Sequence, residues 1–177
     1  MTGLVAKEQD PPSGIEPIEW RLLSNREVDS LEGACALIDW YRARWEIEMF
    51  FHVLKSGCKV EALQLSTIQR LERALALFMI LAWRVVRLMR LGRTCPDLEA
   101  DLLFEPDEWQ AAYILNKRKP PRTPPKLNEV IRLVAILGGF LARKGDGEPG
   151  AKTIWIGLQR VTDFAAGIRF ARELREI

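Results

Sequence analysis

Cysteine and histidine are scarce: Cys35, Cys58, Cys95 and the single His52 are all that 177 residues contain. Three widely spaced cysteines make no disulfide framework, and with one histidine they give no zinc-ligand spacing, so free thiols in a reducing cytoplasm are the simplest reading. A charge excess is missing as well. Lys and Arg number 26 against 24 Asp and Glu, a net charge of +2, so any basic surface must come from local clustering. The opening MTGLVAKEQDPP lacks the basic-then-apolar pattern of a secretory leader. The longest apolar run, ALALFMILAW at 74–83, stops at Arg84 and is too short to span a bilayer. It predicts a buried helix and no membrane partner. What the sequence does have is core material, 48% apolar, enough for one domain or one domain plus a fragment.

Segments at about 4–8 and 18–24 alternate partly between apolar and polar residues around the connector EQDPPSGIEP, which predicts a strand pair joined by a turn or loop. From about 30 to 56 apolar residues recur every three or four positions, a helical period, with Gly57 as a stop. Further helices are expected at about 68–91 ending at Gly92, at 105–116, at 127–143, and from 152 toward 176. KRKPPRTPPK at 117–126 cannot be helical through its prolines and reads as a stiff basic linker. Two strands alone make no stable sheet, so the N-terminal piece is expected to belong to a larger one.

The first long helix carries the chemistry, in WYRARWEIEMFFHVLK at 40–55. On a wheel of about 100° per residue with Tyr41 at zero, Arg44 falls near ~300°, Glu48 near ~340° and Lys55 near ~320°. His52 and Trp45 flank that wedge, while Trp40, Ala43, Ile47, Phe50, Phe51 and Leu54 form an apolar stripe beside it, expected to be buried. An ordinary amphipathic helix with an Arg44–Glu48 pair, worth a few tenths of a kcal/mol, would account for the pattern by itself. The spacing says more. Tyr, two residues, Arg, three residues, Glu, six residues, Lys resembles the signature of DDE transposases of the insertion-sequence-four and transposon-five group. The segments EPIEWRLLS, WYRARWEIEMFFHVLKSG and LGGFLARKGDGEPGAKTIWIGLQR extend the resemblance over about 4–160.

The resemblance implies an RNase H-like core whose last carboxylate stands on a helix after the final strand, and Glu48 matches that position. There it would join two aspartates in holding two divalent cations, Mg2+ or Mn2+, since carboxylate oxygens are hard ligands and paired metals suit in-line phosphoryl transfer. Tyr41, Arg44 and Lys55 match phosphate-gripping residues at the transposon end, where an arginine fork and a lysine point charge position DNA without reading its sequence. His52 is carried as a further phosphate contact, against the alternative of a surface histidine. Trp45 is expected to be a half-buried core residue more than a base-stacking one.

The two aspartates of the family belong on strands upstream of Leu4; Asp10, Asp29 and Asp39 lie in the wrong context to replace them. The expected protein is therefore mainly α. Residues 1–60 would be the end of an RNase H-like α/β core, with about two strands and the Glu48 helix. Residues 61–177 would be a helical dimerisation region, the whole being a C-terminal portion inactive alone. Its partners would be double-stranded DNA at transposon ends and, through the C-terminal helices, a second copy or a full-length transposase that it could inhibit. Ile154, Leu158, Val161, Ala165 and Ile168 follow a coiled-coil-like spacing that suits either a dimer seam or an internal core helix. The basic linker at 117–126 suits the DNA backbone or plain solvation.

Overall fold

The computed structural model describes residues 1–174. The chain divides into two compact units, Met1–Glu48 and Met49–Ile177.

The first unit opens with strands β1 (Thr2–Lys7) and β2 (Glu19–Ser24), antiparallel with Leu4 opposite Leu22 and Ala6 opposite Trp20. Period-two alternation puts those four on one half-buried face, leaving Val5 and Leu23 exposed on the other. The connector turns at Gly14, whose φ of +82° suits a residue without Cβ. It closes through Glu8, whose backbone N–H donates to the Ile18 carbonyl and whose carboxylate accepts from the Ile18 N–H. Helix α1 (Leu31–His52) begins where Ser30 Oγ accepts from Gly33 N at 3.1 Å, a standard N-cap.

The predicted burial of the α1 stripe is not found. Trp40 and Ile47 are each 53% exposed, Phe51 is exposed, and no α1 residue is fully buried. The stripe reaches the core only at its far end, where Phe50 packs against it half-buried and Leu54, past the helix, is buried. Periodicity marks the apolar side of a helix but does not supply the surface that covers it. Trp45, expected as a half-buried core residue, is 54% exposed and outside the core, because it stands in the open part of the same helix.

In the second unit, Val53–Gly57 forms a π-helical turn, closed by Cys58 N donating to Val53 O at 3.0 Å. Val53 and Leu54 insert into the core there, and burial pushes the Cys58 thiol pKa up. Lys59 then reverses the chain in a left-handed conformation, φ 51°, ahead of a short 3-10 turn at Val60–Ala62. Helix α2 (Ile68–Thr94) starts at Thr67, whose side chain accepts from Arg70 N. Gly92 does not stop it, contrary to the sequence expectation. A Cβ there would lie 2.7 Å from Ile131 Cδ1, so this glycine permits close packing, and Pro96 after Cys95 accounts for the end.

Helix α3 (Pro106–Leu115) has proline at its start and a reciprocal capping box of Glu105 and Glu108. Buried Glu108 also accepts a 2.6 Å ion pair from Arg84, and Asp107 one from Arg172 at 2.8 Å, so α3's first turn ties to α2 and α5. Asn116 Nδ2 donates to Ala112 O and Leu133 O, joining α3 to α4. The 117–126 segment is non-helical as its prolines require, and its end is pinned by Leu127 N donating to Leu98 O.

Helix α4 (Leu127–Leu137) is shorter than predicted. Gly139 takes φ +97°, its N–H donates to Ile136 O, and Phe140 N donates to Ala135 O, a Schellman ending six residues before the expected 143. Helix α5 (Ala151–Glu173) crosses α4 at backbone contact through Gly157. The coiled-coil-like seam is core over most of its length: Ile154, Val161 and Ala165 are fully buried and Leu158 is 5% exposed, within the chain itself, while Ile168 is only half-buried. Of the two readings left open for α5, internal packing is the one these residues adopt.

Candidate functional site

In the first unit the face of α1 brings Tyr41, Arg44 and Glu48 into one linked set. Positions 41, 44 and 48 are three and four apart, hence neighbours on a helix. Trp20 on β2 meets the Tyr41 ring edge-on, centroids 5.5 Å apart, which fixes the start of the row to the strand pair. The Arg44 guanidinium stands over the Tyr41 ring at 5.7 Å, and its Nη2 donates to Glu48 Oε1 at 2.9 Å. Both charged side chains remain open, 55% and 42% exposed, so the Glu48 carboxylate is accessible rather than sealed in an apolar interior. On the adjoining side Arg26 stacks over Trp40 at 4.4 Å. Sequence periodicity missed the supports Trp20 and Arg26. Strand alternation could have aimed Trp20 inward, but nothing local foretells the Arg26 stack.

His52, the last residue of α1, is exposed and has no ion-pair or hydrogen-bond partner among the described residues. Lys55 lies in the π-helical turn, so the ~100° step on which its wheel position rested ends at His52. Its Nζ pairs with Glu61 Oε1 at 3.1 Å, a partner six residues on that the wheel did not foresee.

Glu48 offers a hard carboxylate suited to a divalent cation. Among the described residues, however, no group of three or more His, Cys, Asp or Glu could hold one. Those residues do not make a metal centre by themselves. The free cysteines do not change this: Cys58 is buried, and Cys35 and Cys95 are isolated on the surface. No described helix is long and apolar enough to cross a membrane.

A strand pair leads into a helix with an accessible carboxylate beside an aromatic and an arginine, followed by a separately cored helical unit, an arrangement compatible with the transposase resemblance of the sequence. The comparison with protein families agrees. Residues 8–83 match the model of the transposase DDE domain, and residues 80–177 match that of the transposase Tn5 dimerisation domain. The chain belongs to the DDE transposases of the Tn5 type. All five site candidates, Tyr41, Arg44, Glu48, His52 and Lys55, fall inside the DDE match, and α3 to α5 fall inside the dimerisation match. The DDE domain carries with it a general dependence on divalent metal, and the second domain self-association.

Proposed function

We propose that the α1 face is the DNA-end and metal edge of the transposase. Glu48 is one carboxylate ligand of a Mg2+ or Mn2+ site completed by carboxylates outside the described residues. Tyr41, Arg44 and Lys55, with His52, grip backbone phosphates of double-stranded DNA at the transposon end. A metal bound there would activate the attacking oxygen for phosphoryl transfer. The chain's own residues hold and orient. The arginine fork engages phosphate through paired N–H donors, while the Tyr41 ring beneath limits the conformations Arg44 can take. One observation supports this above the rest: Arg44 bridges Tyr41 and an accessible Glu48 on a single helix face.

Removing one phosphate contact lowers the slope of log affinity against log salt by about 0.9. Arg44→Ala is therefore expected to reduce that slope by about 0.9 and to weaken binding to duplex DNA several-fold. Fluorescence anisotropy over a salt series measures it, and an unchanged slope would remove Arg44 from the interface.

The second reading concerns association, and rests on the outer side of α5. An open groove of about 680 Å³ is lined by Leu115, Phe164, Gly167, Ile168 and Ala171, with Arg160 and Asp163. Phe170 on this helix and Leu174 at its C-cap are also exposed, 61% and 56%. We propose that this surface, which takes in Ile168 but not the buried part of the seam, receives a second copy or a full-length transposase, in which case the chain acts as an inhibitor. Titrating it into an active relative's transposition assay should lower activity as mixed dimers form, and Phe164→Glu should restore it. Undiminished activity with no mixed dimer would dispose of the inhibitor role.

A further inference from the structure

Beside the π-helical turn, the second unit carries a partly open hollow of about 610 Å³ against the first turns of α5. Its lining includes two cations, Lys59 and Lys152, with Ser56, Gln159 and Trp155, beside the apolar Phe78 and Ile156. No carboxylate lines it among the described residues. Elsewhere in this unit Lys55, Arg84, Lys126, Arg132 and Arg172 each sit against an acid. Lys59 and Lys152 have no acid within ion-pair distance among the described residues. A hollow whose border includes two lysines without an acid partner, a serine and a glutamine can receive an anion with several acceptor oxygens.

The backbone supplies an independent observation. Lys59 has φ 51° and ψ 41°, the left-handed region that a lysine occupies at a cost and glycine occupies freely. Strain at a non-glycine residue points to a use for its side chain. Lys59 also follows Lys55 by four residues, in the same reversal of chain. Both cations are exposed, so their side chains are free to meet a polyanion at the surface.

We infer that the hollow between Lys59 and Lys152 is a second phosphate grip for the DNA backbone, carried by the dimerisation region rather than by the catalytic helix. The inference rests on the reading of this chain as a DNA-end binder, and adds a phosphate contact within the second unit.

The test uses the whole chain and double-stranded DNA without a special sequence, because phosphate contacts are sequence-independent. Affinity is measured by anisotropy between about 50 and 200 mM salt. The double variant Lys59→Gln, Lys152→Gln is expected to lose about 1.8 from the salt slope, twice the ~0.9 of one phosphate contact, and to bind roughly tenfold more weakly. Lys59→Gly is expected to keep or raise the Tm, since it relieves the left-handed backbone, while lowering the slope by about 0.9. A purely structural Lys59 would leave the slope of this variant untouched. The charge-matched control Lys7→Gln, Lys144→Gln should move the slope little; an equal loss there would overturn the grip as a general charge effect. An unchanged slope in the hollow variants with a reduced one in Arg44→Ala overturns the grip and leaves the proposed function standing. Failure of the unaltered chain to bind duplex DNA overturns both.

Discussion

Alanine at position 157 is expected to destabilise the helical unit by about 3 kcal/mol or more, at the upper end of overpacking substitutions. An ideal Cβ at Gly157 would lie 1.8 Å from the Val134 carbonyl oxygen and 2.6 Å from its carbon. Those are backbone atoms of α4, which cannot rotate away as a side-chain tip can. Gly138 faces the same constraint from the other helix, 1.9 Å from Thr153 O, so the α4–α5 crossing depends on two missing side chains. Separating the helices to admit a methyl would open gaps around Val130, Val134, Ile154 and Val161, all fully buried. Gly167→Ala in the same helix has the opposite sign. Nothing lies within 4 Å of its added Cβ, and replacing an exposed helical glycine gains up to about 1 kcal/mol. Urea unfolding at low protein concentration, where association contributes little, measures both. Equal and small shifts at 157 and 167 would mean the helices do not cross at backbone contact.

The particular residues show which parts of this fold a sequence carries locally. Ser30 before a 3.6-residue period, and Pro106 after Glu105 with Glu108 following, announce helix starts in their own side chains. Leu4, Ala6, Trp20 and Leu22 announce a strand face by alternation. Gly92 and the pair Gly138 and Gly139 look alike as letters but act differently: one admits Ile131, one admits the α5 backbone, and one reverses the chain. The difference lies in residues far along the chain, which periodicity does not contain. The π-helical turn is hidden for a related reason. Its i→i+5 bond from Cys58 to Val53 changes the angular step without altering the apolar pattern that buries Val53 and Leu54. Tyr41, Arg44 and Glu48 were legible as a set because helical neighbours are set by spacing alone. Lys55 was not, since its partner Glu61 lies across that turn. The α5 seam illustrates the remaining ambiguity: a narrow apolar stripe fits another molecule or the same one equally well, and only the positions of α3 and α4 decide that Ile154 to Ala165 serve the core.

Glu48→Gln separates a metal ligand from a structural ion pair, and the expected result is loss of strand cleavage with DNA-end binding retained. The amide keeps the size of the carboxylate and an oxygen that can still accept from Arg44, whose pair with Glu48 is exposed and worth only about 0.3–0.5 kcal/mol. Folding of the chain should accordingly be unaffected, with Tm within about a degree or two of the parent. A neutral amide is a far poorer ligand for a hard divalent cation than a carboxylate. Metal stabilisation of the transferring phosphoryl group is worth several kcal/mol, and each 1.4 kcal/mol is tenfold in rate, so cleavage should fall by about a thousandfold or more. End binding should be equal to or tighter than that of the parent, because weakening the bond to Glu48 leaves the Arg44 fork freer for phosphate. The assay is nicking of an end-bearing duplex with Mg2+, by a transposase carrying this segment in its DDE domain, beside anisotropy on the same duplex. Retained cleavage would strip Glu48 of the metal role and reduce the 41–48 row to a surface ion pair stacked on a tyrosine. Lost cleavage together with lost binding would instead mean that the carboxylate works by holding Arg44 in place, which the thermodynamics of an exposed pair make too weak to expect.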